Sequence, residues 1–142
     1  MNKNKMKLIF PAKSENEAFA RSVISCFVLS LNPSLLDLSD IKTAVSEAVT
    51  NAIVHAYKSD GGDIVMDGEI IDDSVHIKII DSGIGIENLN QALEPFFTTK
   101  PDDERSGMGF TIMKSFMDKV SVISEKGKGT TVYMIKNISS DE

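Results

Sequence analysis

The chain has 142 residues, which suits a single domain that buries roughly 70% of its unfolded surface on folding. A composition of 42% hydrophobic and 25% charged residues excludes a disordered or fibrous protein. The formal net charge of −6 argues against general affinity for nucleic acid phosphates. The longest apolar stretch, residues 23–31, is about half of the roughly 20 residues that span a bilayer, so we expect no transmembrane segment.

The N-terminus and the cysteine content both favour the cytoplasm. The apolar run 8–10 is followed by Pro11 and charged residues, so it predicts a strand rather than a signal peptide. Cys26 has no partner for an intramolecular disulfide and, on an apolar helical face, is expected to be a small buried hydrophobe. We therefore expect a cytoplasmic protein with one domain over residues 1–142.

The first elements are a strand and two helices. Residues 6–10 predict a short strand, and Ser14 with Glu17 three residues later forms a capping-box pattern that starts the first helix. The second helix is predicted from an Asp37 cap to about Tyr57. Its apolar stripe consists of Ile41, Ala44, Val45, Ala48, Val49, Ala52 and Ile53, and Leu36 is expected to staple onto Ile41.

The second half of the chain predicts two hairpins around a long polar segment. Residues 64–71 and 75–81 are β-rich runs, and residues 120–124 and 130–136 form another such pair. A helix is expected over 110–117, and a short helical piece is expected over 89–93. The predicted fold is α+β, a two-layer sandwich whose mostly antiparallel mixed sheet is covered on one face by helices.

A second line of side chains on the long helix carries groups suited to metal binding and proton transfer. Thr43, Glu47, Asn51 and His55 recur every four residues, so Glu47 and Asn51 project side by side. An amide oxygen is a hard neutral ligand suited to Mg²⁺, and a neighbouring carboxylate can accept a proton from an attacking hydroxyl. Taken alone, the pair is more typical of an exposed polar helix face than of a functional site.

The sequence DSGIGI, residues 81–86, comes directly off a predicted strand. A carboxylate at the position of Asp81 can accept a hydrogen bond from an exocyclic amine such as that of adenine. Gly83 and Gly85 permit close backbone approach to the flat face of a base or a sugar. Asp-x-Gly is also a common turn, so the motif alone leaves a structural role open.

A glycine pair precedes the third predicted helix. In RSGMGF, residues 105–110, Gly107 and Gly109 can leave backbone N–H groups available to a phosphate at the helix N-terminus. Lys100 and Arg105 add positive charge nearby. The preceding segment EPFFTTK, residues 94–100, can act as a lid with an aromatic anchor, although its two phenylalanines can equally fill the core.

In this order, these motifs resemble a known ATPase superfamily. The boxes Glu47…Asn51, Asp81-x-Gly83-x-Gly85, Gly107-x-Gly109 and Gly127-x-Gly129-Thr130-Thr131 are similar to those of gyrase, Hsp90, histidine kinases and MutL, whose ATP-binding fold is of the Bergerat type. Within it, SENEAFAR, SEAVTNAIVHAY, FFTTKPDDERSGMGFTIM and GKGTTVY resemble the stage II sporulation protein AB family of anti-sigma-F factors and serine kinases. This resemblance runs from about Met6 to Ile135.

The resemblance implies a role for each box. Asn51 would hold Mg²⁺, Glu47 would be the catalytic base toward a serine hydroxyl, and Asp81 would read adenine. Arg21 would contact both the sigma factor and the serine-bearing partner. The implied ATP/ADP site comprises Asn51, Asp81, Gly83, Gly85, Thr98, Thr99, Lys100, Arg105, Ser106, Gly107, Met108, Gly109 and Thr130.

The function implied by the resemblance is that of an anti-sigma factor and serine-protein kinase. Such a protein binds and inhibits a sporulation sigma factor of the sigma F type, uses Mg-ATP to phosphorylate a serine of an anti-anti-sigma partner, and is a homodimer. One alternative is a nucleotide-dependent module that sequesters the sigma factor without kinase activity, and another is the stress-response homologue. The catalytic domain of a histidine kinase is disfavoured, because a dimerisation helix with a phosphoacceptor histidine is missing.

Overall fold

Five strands form one antiparallel sheet in the computed structural model of the chain, which describes residues 3–56, 61–83 and 109–138. The order of neighbours across the sheet is β1-β2-β3-β5-β4, and every described pair is antiparallel. Both predicted hairpins are therefore confirmed. The strands are β1 (Lys3–Pro11), β2 (Asp63–Ile71), β3 (Ser74–Asp81), β4 (Lys119–Glu125) and β5 (Gly129–Asn137).

Three α-helices belong to the described part of the chain: α1 (Glu15–Phe27), α2 (Leu35–Asn51) and α3 (Gly109–Phe116). A 3-10 turn, Val28–Leu31, follows α1, and a π-helical turn, Ala52–Ala56, follows α2. Helix α2 contacts both α1 and α3. This arrangement confirms the predicted α+β fold. The expected helix over 89–93 lies outside the described residues.

The core lies between the helices and one face of the sheet. Along β2 and β3 the buried residues alternate with more exposed ones, as expected for strands packed on one side only. The predicted apolar stripe of α2 is buried from Ile41 to Ala52, and Ile53 is partly buried against it. Gly68 lies where a Cβ atom would stand 3.0 Å from Cε2 of Phe27, so a larger residue would crowd α1.

The starts of the helices differ from their predictions. Ser14 has helical backbone angles, φ −53° and ψ −37°, and makes no capping hydrogen bond with its side chain. Glu17 instead pairs with Arg21. The second helix begins at Leu35 rather than after Asp37, because Ser34 is extended, with ψ 162°, and its Oγ accepts a hydrogen bond from the Asp37 N–H.

Two further predictions for the helices were wrong. Leu36 is exposed rather than stapled onto Ile41, since the earlier helix start places it within the first turn. Cys26 is also exposed, because the apolar stripe of α1 buries Ala20 and Ile24 and does not include it. Within the described ranges, no helix combines the length and apolar character that crossing a membrane requires.

The two serines offer a matched test of the caps. Ser34→Ala should lower the free energy of unfolding by about 1 kcal/mol, because the Asp37 N–H loses its acceptor. Ser14→Ala should change it by less than about 0.5 kcal/mol, since that side chain caps nothing. Urea unfolding of both variants measures the difference. Equal losses in the two variants would contradict the assignment of the cap to Ser34.

Candidate functional site

A buried carboxylate ends strand β3. Asp81 is only 8% exposed. Its Oδ1 accepts hydrogen bonds from the N–H groups of Gly83 at 3.0 Å and Thr130 at 3.2 Å. Burial raises the pKa of Asp81, and the two N–H donors act in the opposite direction. Both described hydrogen bonds use Oδ1. Asp81 can therefore offer Oδ2 to a ligand donor.

Gly129 and Thr130, the last two residues of the Gly127-x-Gly129-Thr130 motif, lie directly against Asp81. Thr130 is the register partner of Asp81 across β3 and β5, and its Oγ1 lies 2.8 Å from Ser124 Oγ on β4. Gly129 has φ 109°, and a Cβ atom there would collide with the carbonyl oxygen of Asp81. Glycine is required at this position by both backbone conformation and space.

Helix α2 supplies the second half of the site. Glu47 is 7% exposed and precedes Asn51 by one helical turn. Gly109, the first residue of α3, lies where a Cβ atom would stand 2.9 Å from Asn51 Nδ2. The structure thus brings Asn51 to the N-terminus of α3, where backbone N–H groups lack helical acceptors, and Glu47 lies one turn earlier on α2.

The two halves are connected through the end of α2. Strand β3, which ends at Asp81, contacts the π-helical turn that follows Asn51. This turn replaces the α-helix predicted to continue to about Tyr57, so His55 does not continue the four-residue line of Glu47 and Asn51. π-helical turns inside or after α-helices are frequent at functional sites.

Several predicted site residues cannot be placed. Of the predicted set, the structure places Arg21, Glu47, Asn51, Asp81, Gly83, Gly109 and Thr130. The remaining members lie outside the described residues: Gly85, Thr98, Thr99, Lys100, Arg105, Ser106, Gly107 and Met108.

The placed residues fit a nucleotide with a magnesium ion. Within residues 3–56, 61–83 and 109–138, no three His, Cys, Asp or Glu side chains cluster into a site for a metal held by protein alone. Mg²⁺ commonly takes only one or two protein ligands and completes its shell with phosphates and water. One amide oxygen from Asn51, next to helix N–H groups, matches that requirement.

A groove between α1 and α2 leads to Glu47. It has a volume of about 380 Å³ and is lined by Arg21, Leu35, Leu38, Ser39, Lys42, Thr43, Ser46 and Glu47. The sequence interpretation found only Arg21, Thr43 and Glu47 in this set. The spacing of the Thr43-Glu47-Asn51 line, extended backwards by four residues at a time, could have found Ser39 and Leu35 as well.

Comparisons with known proteins show the family of the chain. Residues 10–136 match the histidine kinase-like ATPase domain. The chain is 53% identical over 139 residues to the anti-sigma F factor of Clostridium acetobutylicum, covering 98% of this chain and 97% of that protein. It is also 53% identical over 141 residues to the anti-sigma F factor of Geobacillus thermodenitrificans, covering 99% and 97%. The chain belongs to the anti-sigma F factor family.

Two solved structures share the fold of this chain. The RsbU and RsbW domains of Rv1364c from Mycobacterium tuberculosis match with a TM-score of 0.72 at 19% identity, over 97% of this chain and 33% of that one. The catalytic domain of histidine kinase ThkA matches with a TM-score of 0.58 at 19% identity, over 97% of both chains. At such identities the likeness shows the fold alone.

A pair of glycine variants tests the packing on Asp81 in this anti-sigma F factor family member. Gly127 and Gly129 both have positive φ, 82° and 109°, so alanine at either should cost about 1–2 kcal/mol. Gly129→Ala should cost about 1–3 kcal/mol more, because its Cβ meets the Asp81 backbone, whereas nothing lies within 4 Å at Gly127. Denaturant unfolding compares the two. Equal losses would contradict a close contact between β5 and Asp81.

Proposed function

We propose that this protein is an anti-sigma factor and a Mg-ATP-dependent serine-protein kinase. It binds and inhibits a sigma factor of the sigma F type and phosphorylates a serine of an anti-anti-sigma partner. The name carried by its relatives supports the sigma factor as a partner, and the ATPase domain that it matches implies nucleotide binding. We also propose that the protein is a cytoplasmic homodimer, and this part of the proposal rests on the family resemblance.

One observation carries the kinase proposal. The groove between α1 and α2 ends at the buried carboxylate of Glu47, and the next turn of the same helix presents Asn51 to the N-terminus of α3. A protein segment in the groove and a nucleotide beside Asn51 would therefore approach Glu47 from two directions. A module that only sequesters a partner has no need for a carboxylate at this junction.

The chemistry divides among these residues. In phosphoryl transfer the protein mainly positions the reactants and balances charge. Bound Mg-ATP supplies the terminal phosphoryl group, which passes to the serine oxygen while ADP leaves. Asp81 would accept a hydrogen bond from the adenine amine, Asn51 would contribute an amide oxygen to the metal, and Glu47 would accept the proton that the serine hydroxyl loses.

Other parts of the proposal rest on the family resemblance. Lys100, Arg105 and the backbone N–H groups of 107–109 are proposed to contact the phosphates. Arg21 is proposed to contact both protein partners. Its position on the wall of the groove that ends at Glu47 supports this role, because a partner bound there would lie beside the phosphorylation site.

The test is a transfer assay with an isosteric variant. The purified protein is incubated with γ-labelled ATP, Mg²⁺ and a serine-bearing anti-anti-sigma protein, alongside Glu47→Gln. We expect the variant to transfer label about 100- to 10,000-fold more slowly, because it lacks the base, and to retain its affinity for ATP. Glu69→Gln is the matched control, since Glu69 lies on β2 and pairs with Lys5 at the surface.

The outcomes of this assay separate the two candidate functions. If the Glu47→Gln variant labels the partner serine at the wild-type rate, the assignment of Glu47 as the base is overturned. Binding of ATP and of the sigma factor by the wild-type protein, without any label on the partner, would overturn the kinase proposal in favour of a sequestering module.

A further inference from the structure

The groove floor follows a regular line along helix α2. Leu35, Ser39, Thr43 and Glu47 recur every four residues and all line the groove, and Asn51 continues the series. Leu38, Lys42 and Ser46 form a parallel line beside it. Because each step of four residues turns the helix by about 400°, this line winds round α2 by about 40° per step as it rises from Leu35 to Glu47, one helical turn before Asn51.

Burial increases along this line. Leu35 is 87% exposed at the open end, Thr43 has intermediate exposure, and Glu47 is only 7% exposed at the inner end. A ligand that lies along the floor therefore meets an open surface first and a buried carboxylate last. This gradient suits a chain segment that must bring one residue to an enclosed group.

The length of the line suits an extended peptide. Leu35 and Glu47 are twelve residues apart on a helix that rises about 1.5 Å per residue, which gives roughly 18 Å. An extended chain advances about 3.3 Å per residue, so the floor matches roughly five residues of substrate. A single amino acid or a small metabolite would leave most of it empty.

The chemistry of the walls specifies the kind of segment. Arg21 and Lys42 are the basic residues of a groove in a protein with a formal net charge of −6. Arg21 has Glu17 at 3.4 Å, whereas Lys42 is exposed and has no ion pair with any residue in the described ranges. Leu35 and Leu38 add apolar surface at the open end.

We infer that this groove binds the serine-bearing segment of the protein substrate in an extended conformation. The serine lies at the Glu47 end, an acidic side chain of the segment lies beside Lys42, and an apolar side chain packs on Leu35. Lys42 is thus a specificity-determining residue that does not take part in the chemistry. The inference rests on the proposed kinase function and adds the recognition of its protein substrate.

Charge reversal at Lys42 tests the inference. With the full-length protein, γ-labelled ATP and the serine-bearing partner, Lys42→Glu should raise the KM for the partner about tenfold or more, because like charges then face each other. The kcat and the KM for ATP should stay within about twofold, since Lys42 does not touch the reacting groups. Lys119→Glu, an exposed lysine at the start of β4, carries the same charge change as a control.

A reciprocal experiment excludes a merely structural effect. The substrates are synthetic peptides that contain the partner's serine. In each peptide, one acidic residue within about five positions of the serine is replaced by lysine. We expect the Lys42→Glu variant to phosphorylate one of these peptides better than the wild-type protein does. Leu35→Ser, at a position too exposed to affect folding, should also raise the KM for the partner.

The inference and the proposed function fail in different ways. If the wild-type protein labels the partner but Lys42→Glu and Leu35→Ser leave the KM for the partner unchanged, the groove assignment is overturned and the kinase stands. If no peptide shows the reversed preference, the pairing of Lys42 with an acidic residue is overturned. If the wild-type protein does not label the partner, the proposed kinase function itself is overturned.

Discussion

Two backbone N–H groups hold the Asp81 carboxylate at the end of β3, and much of the site depends on this interaction. Gly83 provides one donor from the chain that leaves β3, and Thr130 provides the other from β5. The carboxylate therefore joins the end of β3 and the residues that follow it to β5, 49 residues later in the sequence. Because it is buried, its charge is costly to the fold, as its raised pKa indicates. Carboxylates whose pKa is raised by burial are typical of functional sites.

Helix α2 serves the core and the site at once. Its apolar stripe is buried against the sheet, which fixes the rotation of the helix. Glu47 then lies in the groove beside α1, and Asn51 lies beside the first residue of α3. The packing of the core thus determines where Glu47 and Asn51 lie.

Much of this fold could be predicted from the sequence, because strong local signals marked it. Glycine, aspartate and serine at the turns delimited both hairpins, and the apolar periodicity identified α2. The caps could not be separated, because Ser14 and Ser34 both suit an N-cap by residue type. Only the backbone shows that Ser34 is extended and Ser14 is already helical. The π-helical turn after Asn51 has no local sequence signal, and the exposure of Cys26 follows from how α1 is rotated.

Only part of the candidate site could be predicted from the sequence. The spacing of Glu47 and Asn51 on one helix follows from helical geometry, whereas the contact of Asp81 with Thr130 depends on a strand register across 49 residues, which no local pattern determines. The groove was missed because Leu35 and Lys42 look like ordinary surface residues in one dimension. The groove forms only once α1 is placed beside α2.

Calorimetry tests most directly whether Asp81 recognises adenine, by comparing the affinity of the protein for ATP with its affinity for inosine triphosphate. Inosine carries a carbonyl oxygen in place of the exocyclic amine, so the Asp81 carboxylate loses its donor and faces an acceptor. A hydrogen bond to a charged group contributes about 1.5–3 kcal/mol, so we expect ATP to bind about 10- to 100-fold more tightly. Asp81→Asn should largely abolish this preference. Equal affinity of the wild-type protein for the two nucleotides would contradict the assignment of Asp81 to adenine and, with it, this account of the site.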